Sequence, residues 1–217
     1  MSSNEWTDAR HASTTRPLLR CGVVVGALYL AVGVIQGLVR DGFDFRRHAL
    51  SHLANGPEGW VQTANLAVCG LMVIGAAIGI TRALQSRAAG WLLGCFGAGM
   101  VVAAIFPTDP VDGFPPGTPP GVPTTMSTSA VIHLASGAIG FVTLAAACFV
   151  AARAMSRRKL RSMARLSFGC GVAVLVGFFA PVAIPDAGSA GIAGIWFAVV
   201  VGWAWLAVVS TQLMRKA

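Results

Sequence analysis

Apolar residues dominate six long stretches of this chain, roughly Leu18–Val39, Trp60–Leu84, Ala88–Phe106, Ala130–Ala152, Ser162–Ile184 and Gly191–Met214, and most polar residues lie between them. About 20 apolar residues suffice for a helix to cross the hydrocarbon core of a bilayer. None of the six stretches contains an Asp or Glu. Inside hydrocarbon the backbone has no water to bond, so each stretch must be a helix or a barrel strand. The length of the stretches and their lack of period-two alternation exclude strands. The pattern predicts an all-α membrane protein, a six-transmembrane-helix bundle forming one domain over residues 18–214 behind a polar tail at 1–17. The first stretch is longer than a signal h-region and lacks a small-residue cleavage site, so it is read as an uncleaved span.

Composition agrees: 55% of residues are hydrophobic, 11% are charged and mean hydropathy is +0.71. Charge then orients the spans. With six crossings, the N-terminal tail, loops two and four and the C-terminus share one side, which holds 13 of the 16 Lys and Arg residues; the other side has only Arg40, Arg46 and Arg47. The excess of Lys and Arg places both termini in the cytoplasm. Counting the acids as well gives +11 inside and −3 outside, which account for the formal +8. The basic balance is therefore a topological signature, and no nucleic-acid partner is expected. The fourth loop, SRRKLRSMAR, also carries charge suited to anionic headgroups, although holding orientation is the favoured explanation.

The five cysteines lie inside apolar spans without a C-x-x-C, so neither a disulfide framework nor a thiolate metal site is expected. Glycines four apart, Gly22/Gly26, Gly33/Gly37, Gly75/Gly79 and Gly90/Gly94, let helix backbones approach closely. Packing within the bundle is their first use, and a homo-oligomer through the same small-residue faces is the alternative. Trp60, Trp91, Trp196, Trp203 and Trp205 lie mainly near span ends, which predicts an interfacial belt.

Two outer loops hold most of the polar groups that topology leaves unexplained. Loop one reads RDGFDFRRHALSHLANGPEGW. Its Phe43, Phe45, Leu50 and Leu53 predict a short segment lying in the membrane interface, and Gly56-Pro57 turns the chain into span two. If that segment is helical, His48, Ser51 and His52 share a face. Loop three, FPTDPVDGFPPGTPPGVPTTMSTSAVIH, is too proline-rich for a regular helix and predicts an extended flap over the outer mouth. It begins with Asp109 and leads to Ser127 as the cap of span four, with His133 about two turns further.

The pieces RDGFDFRRHALSHLANGPEGWVQTAN, FPTDPVDGFPPGTP, a His one or two turns into the next span and a late GWAWLAVV resemble the bacterial integral membrane family known as domain of unknown function 998. The likeness runs from the first span to the last. It implies six helices and, at the matching positions, Ser51, Trp60, Asp109, Pro110 and His133, with no accepted activity. Family members often carry an Arg just before the last helix, where this chain has the uncharged GIAGIWFAVV.

On chemical grounds Ser51, Asp109 and His133 are the residue types of assisted nucleophilic attack: a hydroxyl, an imidazole to take its proton and a carboxylate to orient the imidazole. At the outer boundary they would act as a membrane-embedded hydrolase or transferase on a lipid-like substrate. His48, His52 and Trp60 complete a candidate binding site for membrane lipids. A metal alternative draws His48, His52, Asp109 and His133 into a zinc site with water in an open position, although no resident cofactor is expected. His48 and His52 share only the spacing of H-E-x-x-H. The plain alternative is non-catalytic: Asp109-Pro110 ends a helix, His133 pins loop three to span four, and Ser51 caps a turn. Whether the chain is an enzyme is left open, and the competing role is binding a lipid or a partner protein. Transport ranks lower, because no ionisable residue sits mid-span and no pair of broken helices recurs in the two halves.

Overall fold

A computed structural model describes the backbone of residues 3–179 and 188–216, with side chains from Thr14 onward. Six helices follow in order: α1 (Ser3–Val39), α2 (Gly59–Leu84), α3 (Arg87–Ile105), α4 (Thr128–Arg157), α5 (Arg161–Phe179) and α6 (Gly188–Met214), with a 3₁₀ turn at Leu50–Ala54 and no β-strand among the described residues. All six are long and apolar enough to cross a membrane. This is a six-helix membrane protein, as the hydrophobic pattern requires.

Each helix packs against its neighbours in sequence, and α1 packs against α6, so the bundle is a ring. Loops one and three lie at one end, called here the histidine end. The short loops two and four lie at the other, the arginine end.

Small residues close the ring. A side chain on Gly26 would meet Trp203 at 2.6 Å, and one on Gly70 or on Gly97 would lie 2.7 Å from the carbonyl of the other, so α1 touches α6 and α2 touches α3 nearly backbone to backbone. Close approach of this kind is what glycine supplies to helix pairs in lipid. Gly70–Gly97 was invisible to the four-residue spacing rule because its members lie on different helices.

Several boundaries differ from the hydrophobic pattern. Helix α1 runs back through the polar tail to Ser3 with Pro17 inside it, and α4 extends to Arg157. Polar helix formers carry a helix beyond the apolar stretch, so hydropathy marks the lipid-facing part and not the helix end. The expected end of span five at Ile184, with Pro181 and Pro185, lies outside the described residues. The expected cap is present: Ser127 Oγ accepts from Ala130 N at 3.1 Å.

Loop one departs most from expectation. Leu50 and Leu53 are buried in protein, Leu50 against Gly33 and Phe45 against Gly37 of α1, and Phe43 stacks edge-on against Phe114 of loop three. The glycine faces on α1 open space that these side chains fill, so the segment is a protein-packed roof and not an interfacial one. The tryptophans divide likewise. Trp60 and Trp91 are exposed as a belt requires, but Trp203 and Trp205 are core residues, Trp203 packed on Tyr29 and Phe96 and Trp205 donating to Ser167 Oγ at 3.0 Å.

Candidate functional site

Arg40, one residue past α1, builds the roof at the histidine end. Its Nη1 donates to Leu53 O and its Nη2 to Asn55 O, each at 2.6 Å, so the guanidinium clamps the 3₁₀ turn of loop one. The same group lies 4.8 Å from the centre of the Phe114 ring and 3.4 Å from Glu58 Oε2. Burial lowers its proton affinity and Glu58 partly restores it. Glu58 is largely exposed, so the two carbonyl bonds and the ring contact matter more than the ion pair. Phe114, fully buried, is the plug of loop three, touching Arg40, Phe43 and His48.

A second tie crosses the loops. Arg47 Nε donates to Asp112 Oδ2 at 2.7 Å and its Nη2 pairs with Oδ1, while Gly121 N also donates to Oδ1 at 3.1 Å. Together these hold the Asp112 carboxyl down at about 2, the guanidinium being the larger cause. Asp112 sits at φ +54° and Gly113 at φ +87°, a left-handed pair that turns loop three back over the roof.

Beneath the roof the ring encloses a cavity of about 220 Å³. Ser51, His52, Thr108 and His133 are on its wall at the histidine end; Tyr29, Leu66, Phe96, Met100, Leu144 and Trp203 line it towards the middle of the bundle. At 1.5 Å per residue, His133 to Leu144 on α4 measures about 16 Å along the axis, roughly half the hydrocarbon thickness. The pocket expected to be polar is thus apolar along most of its length, with its polar side chains gathered mainly under the roof.

The histidines have distinct hydrogen-bonding states. His133 Nδ1 lies 2.9 Å from Phe106 O and 3.2 Å from Ala103 O, and because carbonyls only accept, Nδ1 carries the hydrogen. In the neutral ring Nε2 is then a bare acceptor on the cavity wall, with no partner among the described residues. For His52 the assignment follows from what Ala49 needs. Ala49 O already accepts from His52 N at 3.0 Å, whereas Ala49 N has His52 Nδ1 at 3.1 Å as its acceptor. Nδ1 also lies 3.2 Å from Ala49 O, but that carbonyl is already served and Ala49 N has no other acceptor among the described residues, so we assign Nδ1 as acceptor and Nε2 as the nitrogen that bears the hydrogen. Burial, helped by the neighbouring His48 and His133, pushes the proton affinity of His52 down to about 4, so at neutral pH it is an uncharged donor. His48 is fully buried; its Nδ1 accepts from Asp44 N at 3.0 Å and its Nε2 has no partner among the described residues. It stands in the wall between Phe43 and Phe114, outside the cavity lining.

Of the candidate trio, Ser51 and His133 share the cavity wall. Asp109 does not join them: its Oδ2 accepts from Ser127 N at 2.8 Å, and the Ser127 contacts hold its carboxyl below the usual range. The orienting partners of His133 are main-chain carbonyls at the end of α3. Asp109 ties loop three to the start of α4 through Ser127, whereas the non-catalytic reading gave that tie to His133, which bonds the carbonyls of Ala103 and Phe106 instead. Trp60 is exposed at the start of α2, away from the cavity, and among the described residues no three His, Cys, Asp or Glu side chains gather as a metal-holding group. His52 and His133 share the cavity wall, the His48 ring lies 5.9 Å from that of His52 but outside the lining, and Asp109 is taken up by Ser127.

Sequence reasoning missed Arg40, Phe114 and Thr108. Arg40 left a signal, an arginine against the charge bias and next to a span end. Phe114 left none, because one Phe among prolines resembles any other loop residue.

The family model described as Protein of unknown function (DUF998) matches residues 23–212. No curated protein and no solved structure matches the chain.

Proposed function

The chain belongs to the family of proteins of unknown function DUF998, and from that premise we propose that it binds a lipid-like amphiphile in the ring cavity. The apolar part of the ligand lies along α3, α4 and α6, and its head sits under the roof at Ser51, His52 and His133. The histidine end faces the outside of a bacterial plasma membrane and both termini face the cytoplasm, a reading that rests on the distribution of Lys and Arg. The observation that carries the binding reading is the gradient along the cavity, with apolar and aromatic side chains at depth and most of the polar ones at one end.

Gly137 supplies the test. It lines the cavity, and a side chain added there meets no heavy atom within 4 Å. Gly137→Leu puts a side chain into the cavity from an unobstructed Cβ and improves helix propensity. Native mass spectrometry of gently solubilised protein is expected to find one co-purified lipid per wild-type chain, and at least about tenfold less on Gly137→Leu at an unchanged melting temperature. Equal occupancy of both proteins, or none on either, overturns the reading.

A catalytic version has one observation in its favour. The carbonyl-held Nδ1–H of His133 leaves Nε2 as a base on the wall that also bears the Ser51 hydroxyl. Ser51 Oγ would attack an ester carbonyl, Nε2 would take the hydroxyl proton and return it to the departing alcohol, and water would then release the acyl group by the same route. Ser51→Ala would abolish ester cleavage in the purified protein. Unchanged cleavage by Ser51→Ala removes this version and leaves binding untouched.

A further inference from the structure

The head end of the cavity restricts which amphiphile fits. Its polar groups are the imidazoles of His52 and His133 and the hydroxyls of Ser51, Thr108 and Ser136, and no Lys, Arg, Asp or Glu is among the described residues of its wall. The undescribed stretch 180–187 contains no Lys or Arg, so it cannot supply a cation either. A phosphate or carboxylate head would enter a low-dielectric site with no counter-charge, and a quaternary ammonium would find no carboxylate among the described residues of the wall; an unpaired buried ion is among the costliest groups to place. A neutral head avoids that cost.

The two rings also present complementary needs. His133 Nε2 has a lone pair to offer and no donor, and His52 Nε2 has a hydrogen and no acceptor among the described residues. Both rings line the same end of the cavity. A hydroxyl donates and accepts at once, so it can serve both rings, whereas an ether oxygen or a carbonyl can serve only His52. Size narrows the choice again. About 220 Å³ falls below the roughly 300–1,000 Å³ of pockets for drug-sized ligands, which suits one hydrocarbon chain and not the pair carried by a phospholipid.

We infer that the cavity takes a neutral, single-chain amphiphile with a hydroxyl head, of the class of long-chain alcohols and monoacylglycerols, its hydroxyl held at the end of the wall that bears His52 and His133. This rests on the amphiphile-binding reading above and specifies its ligand.

The full chain in lipid nanodiscs is titrated with four probes that share one bromine-tagged eleven-carbon chain and differ in the head: an alcohol, its methyl ether, a carboxylate and a trimethylammonium. Bromine quenches tryptophan at contact, and Trp196 and Trp203 line the cavity, so saturable quenching reports occupancy. At equal mole fraction in the bilayer the alcohol is expected to saturate at a concentration at least about tenfold lower than each of the others. His52→Gln and Thr108→Val, each checked for an unchanged melting temperature, are expected to weaken the alcohol several-fold; wild-type selectivity stands as the test if either variant fails to fold. Equal saturation by all four heads leaves the amphiphile site standing and removes the hydroxyl assignment, as does tighter binding of the carboxylate or the ammonium. No saturable quenching by any probe, with Gly137→Leu indistinguishable from wild type, removes both.

Discussion

At the arginine end α2 turns into α3 over Gln85 and Ser86, and α4 into α5 over residues 158–160, whereas at the histidine end the connections span residues 40–58 and 106–127. The short turns pass through left-handed residues, Gln85 at φ +48° and Lys159 at φ +62°, and the core below them is filled by Leu84, Met155, Trp205 and Leu213. The long loops cannot draw stability from helix pairing, so side chains cross-link them: Arg40 to two carbonyls and a ring, Arg47 to Asp112, Asp109 to Ser127. Charge is abundant where it holds little and scarce where it holds much. Arg157, Lys159 and Arg161 are exposed at the arginine end, although Arg158 does bond Ala83 O at 2.7 Å, while two of the three arginines at the other end are structural. An arginine that sets orientation needs only to remain charged in water, whereas one that builds a roof must lose water and recover it as hydrogen bonds.

The contrast is exposed to test in order of expected effect. Arg40→Met should be the most damaging change, because it leaves Leu53 O and Asn55 O without their charged donor; at about 1.5–3 kcal/mol per such bond the loss is about 3 kcal/mol or more, read as a lowered melting temperature in detergent. A matching loss from Arg158→Met would erase the distinction between the ends. The next effect comes from His52. Its folded-state proton affinity lies near 4, below the ordinary 6.5, so as pH falls the unfolded chain takes up a proton first. Stability is therefore full above about pH 6.5 and declines towards pH 4, by at most about 1.4 kcal/mol per pH unit. His52→Asn should flatten that slope in thermal melts between pH 4 and 7, and an unaltered slope would show that another group carries it.

A smaller effect is expected of Asp112→Asn. Its partner Arg47 is half exposed, so the loss should stay below about 1 kcal/mol. The sign is that of a carboxylate held low: the contribution is present above about pH 4 and disappears as pH falls through about 2. Limited proteolysis of loop three at neutral pH should quicken before any change in melting temperature. The double change Arg153→Gln, Arg165→Gln should do least, within about 0.5 kcal/mol, since both side chains stand exposed at the arginine end. A larger drop there would mean that those cations hold the fold as Arg40 does.

Parts of the site were legible before the structure. The Ser127 cap followed from a hydroxyl placed before an apolar run, and the placement of Ser51, His52 and His133 at one end followed from counting spans. The role of Asp109 was harder to read, because a carboxylate at a helix end can accept from any nearby donor, and backbone N–H groups at the start of α4 compete with imidazoles. The histidine tautomers were not legible at all. They depend on which carbonyls and amides lie within 3.2 Å of each Nδ1, and those belong to Ala103, Phe106, Ala49 and Asp44, residues whose side chains give no hint of it.

By itself the sequence determined that six helices fit a bilayer, because hydrocarbon leaves a twenty-residue apolar run almost no other way to satisfy its backbone. It also determined which loops share an end, since parity follows from the number of crossings. Tertiary structure alone decided that α1 meets α6, that loop one packs inward as a roof instead of lying on the membrane, and that a cavity remains beneath it. Those outcomes turn on which glycine faces which side chain across helices far apart in the chain, and hydropathy, a sum over neighbours in sequence, contains no information about that.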